Sequence, residues 1–138
     1  MHALEIAHSL LKRDGLLIDI HPSGQRPQFE VHVKGRVLLA GHVEETDDFV
    51  EYFEADNALA DMVARGLFVL EETTLFPFLL HAPSIEAIVD FLQEEWSDAI
   101  LSEAVIERAT ALLGEPGEGK EIVVREIARI SRYRPRGR

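Results

Sequence analysis

The 138 residues contain no cysteine. That excludes a disulfide framework, a thiolate metal site and a cysteine nucleophile. A reduced cytoplasm is the expected compartment. No stretch approaches the ~18 consecutive apolar residues that a spanning helix needs. The opening run MHALEIAHSLLKRDG lacks the basic start and small-residue cleavage site of a signal peptide, so no membrane contact and no export are expected.

Positive charge is scarce. Fourteen Lys and Arg stand against twenty-five Asp and Glu, a net charge of −11. The shortage is uneven: six of the basic residues (Arg125, Arg129, Arg132, Arg134, Arg136, Arg138) fall in the last fourteen positions with only Glu126 among them. The remaining body is strongly acidic and repels phosphate backbones, so nucleic acid is not an expected partner. Residues 134–138 read as a solvated basic tail on a single domain spanning 1–138, a length ordinary for one domain with its own core.

Chemical fingerprints are also sparse. Six histidines are present, but no HxxxH or HxH spacing occurs; His2 and His8 fall on different faces of one helix, and no metal site is expected. No serine sits in a nucleophile elbow, and no carboxylate pair stands out from the acidic background. The run Gly114-Glu115-Pro116-Gly117-Glu118-Gly119 follows a helix and precedes a strand, the reverse of the order that aims amides at phosphate, so it reads as a connection. Glu44-Glu45 and Asp47-Asp48 are expected to decorate the start of the following helix, where negative charge complements the dipole.

What is present is an alternation of helices and strands. Leu4, Ala7, Leu10 and Leu11 predict a helix over 2–13, stopped at Gly15. Leu16 to Ile20 is apolar without alternation, as expected of a parallel strand covered on both faces, and it ends at His21-Pro22. Phe29–Val33 and Arg36–Ala40 flank Lys34-Gly35, the signature of a β-hairpin. Residues 46–65 predict a helix with Phe49, Val50, Phe53, Ala60 and Val63 on its apolar side. Leu67 to Leu80 reads as a long or interrupted strand in which Pro77 demands an edge or a break. Ser84 caps a helix carrying Ile85, Ile88, Val89, Leu92 and Trp96. A helix over about 102–113 buries Val105, Ala109 and Leu112, and Glu121–Tyr133 forms a last strand. This is the order of an α/β chain. His21 stands where ligands collect in open α/β sheets, at the carboxyl end of a strand, and an imidazole there suits a general base or a substrate contact.

Leu10-Leu11-Lys12-Arg13-Asp14-Gly15 followed by Leu16-Leu17-Ile18-Asp19-Ile20-His21-Pro22 resembles the helix and fifth strand of class I S-adenosylmethionine-dependent methyltransferases, with Arg13-Asp14-Gly15 in place of the usual Pro-Gly-Gly. The likeness continues through Ala64-Arg65-Gly66-Leu67-Phe68, the Ser84–Trp96 helix and Glu121-Ile122-Val123-Val124-Arg125-Glu126. It implies a Rossmann-like α/β fold containing part of the family's mixed sheet. The seventh strand would run antiparallel between the fifth and sixth, and the hairpin would be a substrate-side insertion. By the same resemblance, His21, His32, His42 and Tyr52 face the substrate of a small-molecule methyl transfer.

The family's cofactor elements precede its fifth strand, and no glycine-rich fingerprint in these residues replaces them. The resemblance therefore implies a C-terminal, substrate-side half that binds no cofactor alone, S-adenosylmethionine entering only with an N-terminal half. The isolated chain is expected to be inactive. An apolar fifth strand without a fourth beside it would leave a bare edge. A second copy, a separately encoded N-terminal half, or the hairpin folded back is expected to cover it. A non-catalytic dimeric binding module is the alternative reading.

Overall fold

The computed structural model describes residues 3–46 and 48–137, with the backbone alone for 48–50. His2, Asp47 and Arg138, and the side chains of Phe49 and Val50, thus lie outside what is described. The chain is mixed α/β. Its elements are α1 (Ala3–Leu10), β1 (Leu17–Pro22), β2 (Gln28–Val33), β3 (Arg36–His42), β4 (Glu44–Glu45), α2 (Asp48–Ala64), β5 (Phe68–Ala82), α3 (Ile85–Glu95), β6 (Ala99–Ile100), α4 (Glu103–Leu113) and β7 (Lys120–Pro135).

β7 organises a five-stranded sheet. Its residues 128–133 pair antiparallel with β1, its residues 120–125 pair antiparallel with β2, β2 pairs with β3, and β5 also pairs with β7. Thr73 meets Ser131, and Glu71 meets Arg132 and Arg134, so β5 and β7 run in opposite directions. β1 already holds one edge of that stretch of β7, which leaves β5 the other. Each pairing is therefore antiparallel, where the sequence led us to expect a mixed sheet. β1 and β5 do run in the same sense, but β7 separates them.

The chain forms two compact units, one made of Met1–Gly24, Asp48–Phe76 and Ala128–Arg138, the other of Gln25–Asp47 and Pro77–Ile127. In the second, Lys34 and Gly35 both take positive φ (50° and 81°), the geometry of the two-residue hairpin turn that joins β2 to β3. Strand residues Phe29, Val31, Ile122 and Val124 bury against Ile88 and Leu92 of α3 and Ala109 and Leu113 of α4. Each large apolar side chain removed from water there contributes about 1.5–3 kcal/mol. Ser84 and Ser102 cap α3 and α4, their hydroxyls accepting from the Ala87 and Val105 amides at 3.1 and 3.3 Å.

α4 buries Ala109, as expected, but with Leu113 rather than Leu112, which is 36% exposed. Glu44 and Glu45 pair with Ile100 and Ala99 in the small ribbon β4–β6 rather than leading α2. The 114–119 run is a connection between α4 and β7, as its position after a helix requires.

In the first unit the core is Leu59 and Met62 of α2, Phe68 of β5 and Tyr133 of β7, with Leu4, Leu11, Leu17 and Leu67 packed on it. Phe68 receives His8 and Tyr133 edge-on, at centroid distances of 5.2 and 6.4 Å. The buried face of α2 thus carries Leu59 and Met62. Phe53, expected inside, is 62% exposed, and Ala60 and Val63 are exposed too.

β1 also departs from expectation. It is not a parallel strand covered on both faces: it alternates, with Leu17 packed while Ile18 and Ile20 are 47% and 58% exposed. Among the described residues it pairs with β7 alone, and the hairpin pairs with β7 rather than folding back along β1. β5 runs uninterrupted through Pro77, which is tolerated because among the described residues β5, too, pairs with β7 alone.

Candidate binding cleft

A strand's two-residue period puts Arg129, Ser131 and Tyr133 on one face of β7. Antiparallel register sets Asp19 opposite Ser131 and His21 opposite Arg129. Asp56 comes down from α2 and forms an ion pair with Arg129.

His21 is the centre of the resulting cluster. Its Nδ1 lies 2.6 Å from Asp19 Oδ2, close enough for the ring N–H to donate to the carboxylate. With Nδ1 so engaged, Nε2 accepts from Arg129 Nη2 at 2.8 Å, while Asp56 Oδ1 stands 3.0 Å away, ready to accept if the ring gains a second proton. The strand running through His21 is antiparallel to its neighbour, so the rule about carboxyl ends of parallel strands does not apply to it. What the structure gives His21 instead is an aspartate that fixes its tautomer and a shared arginine. Arg129 Nε is buried without a hydrogen-bond partner among the described residues.

Beside this cluster lies a cleft of about 500 Å³. Its aliphatic wall is Leu59, Ala60 and Val63 of α2 and Leu70 of β5; its polar floor is Thr73, Arg129, Ser131 and Tyr133. Thr73 and Ser131 hydroxyls are 3.1 Å apart, and Tyr133 lines the cleft beside them. Burial pushes the Tyr133 phenol upward from its ordinary value, and the charges of Asp19 and Asp56 push the same way.

The other expected residues are spread out. Tyr52, half-buried, lies in the same unit as His21, four residues before Asp56 and so on the same side of α2. His32 and His42 belong to the second unit, on β2 and β3, and are not cross-strand partners: His32 stands opposite Val37 and His42 opposite Gln28. His32 Nε2 is 2.9 Å from Glu30 Oε1, and Arg125 grips the same carboxylate through Nε and Nη2 at 2.9 and 3.3 Å. Burial works to raise the Glu30 pKa, but the bonds from Arg125 and His32 outweigh it and hold the carboxyl below its ordinary value. His42 borders a separate cleft of about 560 Å³ with Arg26, Glu44, Ser102 and Arg108.

Sequence reasoning missed Asp56, Thr73, Arg129, Ser131 and Tyr133 as site residues. The one available signal was the alternation Arg129-x-Ser131-x-Tyr133, which resembles any half-exposed strand. No known protein-family model, curated protein or solved structure matches this chain.

Among the described residues no group of three or more His, Asp or Glu could hold a metal ion, and no helix is long and apolar enough to cross a membrane. The helices α3 and α4 are entered through Ala82-Pro83-Ser84 and Leu101-Ser102, and the glycine run leads out of α4.

Proposed function

We propose that these residues form the substrate-side half of a cytoplasmic, class I methyltransferase-like protein, Rossmann-like in ancestry, that transfers no methyl group by itself. The observation supporting this reading is the position of β7, antiparallel to both β1 and β5 and lying between them. That is the arrangement the resemblance assigns to the fifth, seventh and sixth strands. In such a protein His21, with Asp19 and Arg129 fixing its orientation, faces a small-molecule substrate, with Tyr52 on the same unit. His32 and His42 belong to the substrate-side insertion. Methyl transfer draws much of its rate from alignment of nucleophile and methyl carbon, so these residues bind and position and none is required to be a catalytic acid or base.

S-adenosylmethionine is then bound only with a cofactor-binding half supplied along β1. The alternative reading, a non-catalytic module working as a dimer, is favoured by the exposed Ile18 and Ile20 on a strand with one free edge. Calorimetric titration of S-adenosylmethionine into the purified chain tests the main proposal. No binding heat is expected up to millimolar concentration; a micromolar dissociation constant would mean that a complete cofactor site lies within these residues.

A further inference from the structure

The cleft over β7 has properties that do not depend on methyl transfer. Its volume, about 500 Å³, lies within the ~300–1,000 Å³ range of small-molecule sites. One side offers only aliphatic carbon from Leu59, Ala60, Val63 and Leu70. The other offers three hydroxyls in a row, Thr73, Ser131 and Tyr133.

Those hydroxyls are not saturated by one another. Each can donate once and accept twice, and the one bond among them, between Thr73 and Ser131, consumes one donor of three and one acceptor site. Two donors and several lone pairs remain for a guest. Ser131 is itself almost fully buried, so a guest that meets it exchanges little water.

Charge selects the guest's class. Arg129 is the floor's single cation, and it is already matched by Asp56 and engaged with His21. Asp19 adds a second carboxylate beside His21, and the chain carries −11 overall. A carboxylate ligand would have to displace Asp56 from Arg129 and then sit next to it. A hydroxyl meets no such penalty and both gives and takes hydrogen bonds. We infer that this cleft binds a small neutral molecule with a compact apolar body and one hydroxyl group, a phenol or alcohol, seating the body on α2 and the hydroxyl on Ser131 and Thr73.

Paired probes of one shape decide this: 2-naphthol and 2-naphthoate titrated into the full chain, followed by calorimetry and by ligand-observed NMR. The naphthol is expected to bind at least ten-fold more tightly. Ala60→Trp, on an exposed helix position, fills the cleft and should abolish binding, while Ser131→Ala should weaken it about 5–10-fold. Val63→Trp serves if Ala60→Trp does not fold by circular dichroism. Equal or tighter binding of the naphthoate overturns the neutral-ligand assignment. Unchanged binding in the tryptophan variant, or no binding of 2-naphthol at millimolar concentration, overturns the site, and an unaltered Ser131→Ala affinity overturns the role of the hydroxyls.

Discussion

Arg125 holds Glu30 by a two-pronged guanidinium–carboxylate pair, and the carboxylate is 2% exposed, with His32 bonded to it as well. Glu30 lies on β2 opposite Val123, and Arg125 stands two residues further along β7 on the same face, so the pair ties the two strands together. A carboxylate this deep is tolerable only because its lone pairs are filled.

Glu30→Gln should therefore cost about 1–3 kcal/mol, because half-buried Arg125 is left without its counter-charge. Urea denaturation at pH 7 reads this as a lower midpoint. The same carboxyl gives a pH signature. Its folded pKa lies below the ordinary 4.5, so its contribution is complete above that value and is lost as pH falls below it through the folded pKa. Between pH 5 and pH 3 wild type should lose more stability than Glu30→Gln does.

Glu126 should behave in the opposite sense. Burial alone raises its pKa, so its neutral form favours the fold below 4.5 and that advantage is lost as pH rises through the folded value. Glu126→Gln is expected to raise the thermal midpoint at pH 7 and to change little at pH 4. Equal effects at both values would contradict the assignment.

Gly41 faces a different constraint. A Cβ there would lie 2.5 Å from Val105 Cγ2, so β3 and α4 meet through the missing side chain. Gly41→Ala should cost about 1–3 kcal/mol. Gly41→Ala combined with Val105→Ala should recover part of that loss, and a double mutant no better than the sum of the single changes would place the strain elsewhere.

The free edge of β1 makes a prediction about assembly. Ile18 and Ile20 project from a strand paired on one side only among the described residues. Light scattering at micromolar concentration should give about twice the 15.5 kDa of one chain. Ile18→Lys with Ile20→Lys should return it to one. A wild-type monomer would remove the dimeric reading.

Much of the local structure was legible from sequence. Lys34-Gly35 marked the hairpin because its glycine can supply the positive φ of a tight turn, and Ser84 with Ile88 and Leu92 marked both the start and the buried face of α3. β1 was found but its surroundings were misjudged, since an apolar strand reads alike whether it is buried or bare. The inner face of α2 was misassigned because apolar residues occur around much of its circumference, and only tertiary contact selects Leu59 and Met62 over Phe53. The cleft was the least legible part: Asp56, Thr73 and Ser131 come from three separate elements, and no local pattern connects residues that only the packing of α2 over β5 and β7 brings together.

The functional proposal rests on β7 lying antiparallel between β1 and β5, so backbone NMR of the labelled chain tests it most directly. Interstrand NOEs should join β1 to β7 in the register from Leu17 with Tyr133 to Pro22 with Ala128, and β5 to the opposite edge of β7 around Thr73 and Ser131. NOEs that pair β1 directly with β5, or that give β7 a parallel neighbour, would contradict it.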